Sequence, residues 1–300
     1  LNPIKETYMI LVTGATGEFG SKAIDHLLKK GVRPSEISAL VRDVSKAKDL
    51  EDKGIELRVG DYTDPDSLTE ALQGIDKLLL VSSNDKQAIE NRTAQHINVI
   101  NAAKEAQVKH TLYTSFVRKP HFDDTAIAAF QHSHVQTEAA LKDSGMNYTI
   151  LQNGIYLEMI PIFTGQKVAE TGVIFFPAAE GKASFVLREE LAEAAAHVLV
   201  TEGHESRVYQ LTNTASVSFT DIANALTDTF GRDIQYQSPS VDEFESVMKN
   251  AGVPDLYIGM FSMWAKAIKE GAMDVADNTL ADFLGRRPTT MPQFIHQVYG

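Results

Sequence analysis

Two rhythms alternate along the first half of the chain. Short runs rich in leucine and β-branched residues, at 9–12, 37–41, 56–59, 77–81, 110–114 and 148–151, have the length of strands. Several are apolar throughout, as strands are when helices cover both faces of a sheet. Between the runs, apolar positions fall three and four apart. Phe19, Ala23, Ile24, Leu27 and Leu28 form one such stripe, and Gly31 follows where a helix would stop. Asp64 and Pro65 read as N-cap and first helical residue ahead of Leu68 and Leu72. Ile89, Ile97, Ile100 and Ala103 mark a long fourth helix whose polar face carries Asn91, Arg92, Asn98 and Asn101. Strands alternating with helices predict βαβ units and an α/β fold, a Rossmann-type doubly wound parallel sheet.

Beyond residue 154 the pattern loosens into a mixed region with apolar segments at 173–176, 191–200, 208–211 and 219–230. The expected organisation is a polar N-terminal extension over 1–8, a Rossmann domain over 9–154 and a smaller mixed α/β substrate-covering region over 155–300. The stretch at about 185–212 is placed to return to the main sheet.

The densest chemistry lies directly after the first strand. Gly14, Ala15, Thr16, Gly17, Glu18, Phe19 and Gly20 set three glycines between a strand and a helix, the context in which a glycine loop receives a dinucleotide. Gly14 makes the tight turn, Gly17 admits the pyrophosphate and Gly20 lets the helix pack on the strand. The helix N-terminus then meets the phosphate charge. The spacing is GxxGxxG, a variant of the general fingerprint. No Gly-Lys-Ser/Thr phosphate loop accompanies it, which disfavours kinase or ATPase chemistry.

The end of the second strand selects the dinucleotide. Arg42 stands there with Lys46 near it in sequence, and an arginine in this place favours a 2'-phosphate, hence NADPH. Asp43 is the rival; were the strand to end one residue later, its carboxylate would suit the ribose hydroxyl of NADH.

Charge and composition narrow the remaining classes. A net charge of -12 argues against a nucleic-acid partner, which needs clustered cations. No apolar run approaches the ~20 residues of a membrane span. The chain has no cysteine, which removes disulfides and thiolate chemistry and fits a cytoplasmic setting. His132, His134 and Glu138 lack the spacing of a HExxH metal site, so no metal is expected.

Taken together, Gly14 to Gly20, Val41-Arg42-Asp43, Gly60-Asp61-Tyr62, Leu79 to Ser83 and Leu151-Gln152-Asn153-Gly154 resemble the NmrA-like branch of atypical short-chain dehydrogenases, and within it the group of quinone and triphenylmethane reductases. The resemblance runs nearly the whole length. It implies that the glycine loop holds the pyrophosphate and Arg42 the 2'-phosphate, and that Asp61, Ser82, Ser83 and Asn84 line the cofactor. It also implies that Tyr148, Thr149, Ile150, Leu151, Gln152 and Asn153 approach the nicotinamide. Gln152 departs from that pattern, standing where the reductases are expected to carry arginine.

Ketone-reducing short-chain dehydrogenases resemble one another in a Tyr-x-x-x-Lys pair that protonates the nascent alkoxide. None of the nine tyrosines here is followed by lysine at that spacing. On the helix after the fifth strand the chain reads His134, Val135, Gln136, Thr137, Glu138 instead. Hydride addition to a simple ketone needs a positioned acid. A quinone gives a delocalised phenolate that water can protonate, and a triarylmethyl cation is neutralised by hydride alone. The expected activity is therefore NADPH-dependent reduction of quinones or similar electrophilic aromatic acceptors. The alternative is a redox-sensing regulator that binds the dinucleotide without turnover. His134 is the candidate acid, its other reading being a helix histidine paired with Glu138. Tyr156, Met159, Ile160 and Phe163 are candidates for the wall of an acceptor pocket, or for ordinary core. The expected partner is a small aromatic or quinone substrate, with assembly into a homo-oligomer left open.

Overall fold

A computed structural model describes residues 8–83 and 88–300. Its main sheet has seven strands. The first six in chain order are β1 (Ile10–Val12), β2 (Ile37–Val41), β3 (Glu56–Val59), β4 (Lys77–Leu80), β5 (His110–Phe116) and β6 (Asn147–Asn153). In space they run β3, β2, β1, β4, β5, β6, and Arg207–Leu211 completes the sheet beside β6. Ile10 pairs in parallel with Ile37 on one side and Lys77 on the other, and Lys77 pairs in parallel with His110. The chain thus winds outward from β1 in one direction and then, from β4, in the other. That reversal opens a crevice at the C-terminal ends of β1 and β4, the place where doubly wound sheets take ligands.

Among the described residues, five α-helices belong to this half of the chain: α1 (Glu18–Lys29), α2 (Lys48–Asp52), α3 (Pro65–Ala71), α4 (Ala88–Glu105) and α5 (Ala128–Asp143). The Asp64 side chain caps α3 by accepting from the Ser67 amide, with Pro65 in the first turn. Leu11, Leu78, Leu80 and Ile150 from the sheet pack with Leu68, Leu72, Val99 and Leu141 from the helices, all nearly solvent-free. Each such side chain contributes on the order of 1.5–3 kcal/mol by leaving water. β5 and β6 extend beyond the apolar runs that marked them, because Ser115 and Gln152 find buried hydrogen-bond partners.

The chain forms two compact units that interleave in sequence. The first comprises residues up to Ser115, His132–Gln152 and Glu189–Tyr209. The second comprises Phe116–Gln131, Asn153–Arg188 and Gln210–Gly300. Phe116 packs edge-on against Phe130 and Trp264, with ring centroids 5.2 and 5.8 Å away, so the chain joins the second unit as soon as β5 ends. The core of that unit is aromatic: Phe176 lies 5.0 Å from Phe163 and 4.7 Å from Phe219. Two small sheets belong to it, Lys182–Ala183 with Val217–Ser218 and Val173–Phe175 with Gln235–Gln237.

At the N-terminal edge of the main sheet sits a polar cluster in the first unit. Lys77 Nζ is buried and donates to the carbonyl of Leu199 at 2.7 Å. Thr149 gives its hydroxyl proton to His204 O, so His110 Nε2, 2.8 Å away, is the donor to Thr149. Thr201 likewise donates to His197 O, so His204 donates from Nε2 to Thr201 and accepts the Tyr209 hydroxyl at Nδ1. The bond that His204 Nδ1 accepts from Tyr209 requires a neutral imidazole. Burial, reinforced by Lys77, pushes His110 down to about 4, and burial lowers His204 and His197 as well.

The unfolded chain takes up protons at these histidines below their ordinary value of 6.5, whereas the folded protein refuses them. Stability is therefore intact above that pH and declines as pH falls through it. Urea unfolding at about pH 7 and about pH 5 should show a loss of about 1–2 kcal/mol attributable to His110. A His110→Gln variant, which keeps a donor to Thr149, should flatten that slope; an unaltered slope would refute the assignment.

Candidate functional site

The glycine loop leaves β1 at Thr13. Gly14 adopts φ +58°, and its carbonyl accepts the Gly17 amide at 2.9 Å. A Cβ on Gly20 would lie 2.3 Å from that same carbonyl oxygen, so the loop is a cradle that a side chain would fill. Gly17 caps α1 without any side-chain hydrogen bond, at the positive end of the helix dipole. Gly14, Thr16, Gly17 and Glu18 form the exposed rim, whereas Ala15 and Phe19 are buried. The geometry fits a pyrophosphate held by backbone amides. Ala15 and Phe19 can take part through their backbone only.

Thr13 locks this loop to the neighbouring strand. Its hydroxyl donates to Leu79 O and accepts the Val81 amide. The Tyr62 hydroxyl joins it, 2.9 Å from Val81 O. Burial raises the Tyr62 phenol well above its usual range, which keeps it a neutral donor.

At the end of β2 Arg42 is exposed and Asp43 is occupied. The Asp43 carboxylate accepts the Ser45 amide at 3.0 Å and the Ser45 hydroxyl at 2.6 Å, bonds that lower its pKa. Asp61, after β3, is similarly taken up by Thr63, and Arg42 adds a weaker electrostatic pull on it. Asp61 thus shapes its own turn and lies close enough to Arg42 to feel its charge.

The segment after β4 is clamped by helix α4. Ser82 donates its amide to Thr114 Oγ1 at 2.8 Å. Ser83 donates its amide to His96 Nε2 at 2.9 Å, and its carbonyl accepts Arg92 Nε at 3.0 Å. Asn84 lies outside the described residues. Because His96 Nε2 accepts, its proton sits on Nδ1 and points at Thr137 Oγ1, 3.0 Å away. Burial, with Arg92 nearby, pushes His96 down to about 3 and fixes that neutral form. Tyr113 then bridges to His134 Nδ1 at 2.7 Å, and His134 Nε2 lies 3.5 Å from Arg92, closing a ring of side chains around Ser83.

This ring decides the position of His134. The residue is 2% exposed, and both ring nitrogens face protein groups. The expected acid is thus placed within the protein interior, against Tyr113 and Arg92. Glu138, one turn further along α5, is also 2% exposed and accepts Ser115 Oγ at 2.6 Å and Gln152 Nε2 at 3.2 Å. His132, on the same helix, is exposed.

The strand β6 divides the expected nicotinamide contacts. Thr149, Ile150 and Leu151 are fully buried, Thr149 within the histidine cluster at the opposite edge and Ile150 in the core. Tyr148 spends its carbonyl on the Ser206 amide. The structure thus places these four away from the C-terminal end of β6, the end at which doubly wound sheets take ligands. Gln152 and Asn153 occupy that end. The Asn153 side chain is 2% exposed, and neither its Nδ2 nor its Oδ1 has a protein partner among the described residues.

In the second unit, Ile160 is fully buried and Phe163 is stacked on Phe176, which makes both of them core. Phe163 also lines an apolar cavity of about 240 Å³ with Phe175, Phe244 and Phe261. Met159 packs against that core from a partly buried position. Tyr156 is half-buried, with the Arg188 guanidinium 4.5 Å from its ring centroid.

Arg92, His96, Tyr113 and Ser115 carry much of the site and escaped the sequence reading. Arg92 was assigned to a polar face, yet it is 6% exposed. The spacing of Arg92 and His96, four residues apart on one helix, was the available signal.

The model of the NmrA-like family matches residues 6–295. The chain belongs to the NmrA-like family. Among NmrA-like relatives, it is 37% identical over 291 residues to quinone oxidoreductase 2 of Escherichia coli strain K12, covering 97% of this chain and 99% of that protein. The crystal structure of the NADPH-dependent quinone oxidoreductase of Escherichia coli complexed with NADPH matches with a TM-score of 0.89 at 37% identity, covering 97% of this chain and all of that one (100%). The Citrobacter sp. triphenylmethane reductase complexed with NADP(H) matches with a TM-score of 0.87 at 36% identity, covering 96% and 99%. Among the described residues of this NmrA-like chain, no helix is long and apolar enough to cross a membrane, and no cluster of three metal-ligating side chains occurs.

Removing the Tyr113 hydroxyl withdraws the bridge between the two histidines from a buried ring. Tyr113→Phe is expected to lower the unfolding free energy by about 1–3 kcal/mol. Equal urea midpoints for the variant and the wild type would show that the ring does not depend on that hydroxyl.

Proposed function

We propose that the protein is an NADPH-dependent oxidoreductase that delivers hydride to quinones or similar electrophilic aromatic acceptors, cationic triarylmethane dyes among them. The observation that carries this reading is the order of groups along one edge of the sheet. Arg42 ends β2, the glycine cradle follows β1, Ser82 and Ser83 follow β4, and Gln152 and Asn153 end β6. A dinucleotide laid along that edge places its adenosine end near β2 and its nicotinamide end toward β5 and β6.

The division between NADPH and NADH rests on Asp43. With its carboxylate engaged by Ser45, it is poorly placed to accept a ribose hydroxyl, while Arg42 beside it offers the guanidinium that a 2'-phosphate needs. When bound, NADPH supplies the hydride. The chain's own residues hold and orient: the glycine loop and the N-terminal end of α1 meet the pyrophosphate charge, the Gly17 amide closing the loop onto Gly14, and the Ser83 clamp fixes the wall beside it. The unpartnered carboxamide of Asn153 offers a donor and an acceptor that an amide-bearing ligand would satisfy.

The acceptor class follows from what the site lacks. Without a Tyr-x-x-x-Lys pair, catalysis depends on holding an already electrophilic ring at reacting distance. The similarity to a quinone oxidoreductase and a triphenylmethane reductase along nearly the whole chain supports the same class.

Oxidation of NADPH and NADH with a panel of quinones and cationic dyes tests the activity; saturable binding without turnover would instead make the protein a redox sensor. For the cofactor assignment, Arg42→Glu should weaken NADPH binding about tenfold or more, equivalent to about 1.4 kcal/mol, with a smaller effect on NADH. A fluorescence titration giving equal losses for both would overturn the role of Arg42.

A further inference from the structure

We infer that the aromatic cavity of the second unit is a binding site for a small, uncharged phenol, whose ring packs among phenylalanines and whose oxygen meets the hydroxyl of Thr164. Every lining residue belongs to that unit, so the inference stands independently of the reductase reading. The cavity has a volume of about 240 Å³. The helix Ile160–Thr164 contributes Phe163 and Thr164 to its wall, and the strand Val173–Phe175 with the residue after it contributes Phe175 and Phe176. Phe244 comes from the helix Val241–Asn250 and Phe261 from the helix Asp255–Lys269. Ile162 and Val247 line it too and are 50% and 46% exposed, so the cavity opens to solvent on their side.

Size and lining select one aromatic ring. Phe163 is stacked on Phe176 at 5.0 Å and Phe175 on Phe244 at 6.2 Å, while Phe176 meets Phe244 edge-on at 6.0 Å. A further ring extends such an array through its own face and edges. Water gains little there, because it needs two or more polar partners, whereas an apolar cavity of roughly 150 Å³ already accepts benzene. Drug-sized ligands occupy about 300 Å³ or more. The cavity therefore suits a single substituted ring and is too small for a triarylmethane dye.

One lining group asks for more than a hydrocarbon. Thr164 is 5% exposed, and its Oγ1 has no hydrogen-bond partner among the described residues. A buried hydroxyl left in that condition is costly. The other lining hydroxyl, that of Thr171, lies 3.4 Å from both the amide nitrogen and the carbonyl oxygen of Val173. A phenol oxygen both donates and accepts, as the threonine hydroxyl does, so one ring substituent satisfies Thr164 in either sense. The ligand is uncharged because an anion brought to this hydroxyl among phenylalanines would lose its hydration without gaining a counter-charge. Lys167, the charged side chain in the lining, is exposed.

Titration of the full-length, cofactor-free protein with phenol, toluene and benzoate, followed by ligand-observed NMR, tests the site. Phenol should bind saturably and about tenfold more tightly than toluene, which has nearly the same shape without the hydroxyl. Thr164→Val should abolish that preference and Thr164→Ser should keep it. Val247→Trp, which fills the mouth, should weaken phenol binding about tenfold or more. Without ligand, Thr164→Val should also raise the melting temperature, since it removes a polar group that has no partner. Absence of saturable phenol binding, equal affinities for phenol and toluene, a preference that survives Thr164→Val, or undiminished binding to a folded Val247→Trp variant would overturn the assignment. So would a lowered melting temperature of Thr164→Val. Benzoate binding more tightly than phenol would place recognition at the Lys167 ammonium and overturn it equally.

Discussion

The approach of α1 to β1 is set by one contact, the bare Cα of Gly20 against the carbonyl of Gly14. Neither side of that contact can yield, because the atoms a Cβ would strike are all backbone. From it follow the turn at Gly14, the direction of the helix axis and the exposure of its first amides. Thr13 carries the constraint sideways into β4 through Leu79 and Val81. Ser82 then carries it to β5 through Thr114. The ligand edge of the first unit is thus one connected set of backbone positions, and binding loses little to reordering it.

Behind that edge the protein uses polar groups in the interior where an apolar core would pack more simply. His96, Tyr113, Thr137, His134 and Arg92 are nearly solvent-free, and their hydrogen bonds are directional in a way that hydrophobic contacts are not. A neutral His96 is required for the Ser83 amide to find an acceptor, and burial provides that state. Buried polar networks of this kind specify a single geometry at the expense of tolerance. Here the geometry specified is that of a backbone segment.

Local pattern in the sequence reveals the first unit well and the second only in outline. The apolar runs mark the central strands because buried parallel strands are apolar on both faces, and the glycines mark the loop because a side chain at Gly20 would strike backbone and Gly14 takes a left-handed φ. The placements of Arg42, Gln152 and Asn153 are legible as well, being fixed by position at a strand's C-terminal end. His134 and Arg92 are not, since whether a polar residue on a helix faces water or a neighbour depends on tertiary packing. Tyr148 to Leu151 show a different limit. Periodicity identifies the strand, but only the sheet's direction tells which end meets the ligand. The interleaving of the units is likewise invisible in composition, because Phe116 looks like any strand residue until its aromatic partners are known.

Lys77 connects these points to the order in which the protein is made. Its ammonium, at the start of β4, is buried against the carbonyl of Leu199, 122 positions later in the chain. On the ribosome, β4 emerges long before the helix whose carbonyl will accept this hydrogen bond. The main sheet is therefore completed only after Leu199 has been synthesised. An isolated fragment ending near residue 154 would hold all six of its leading strands and still lack the Leu199 carbonyl to which the buried Lys77 donates.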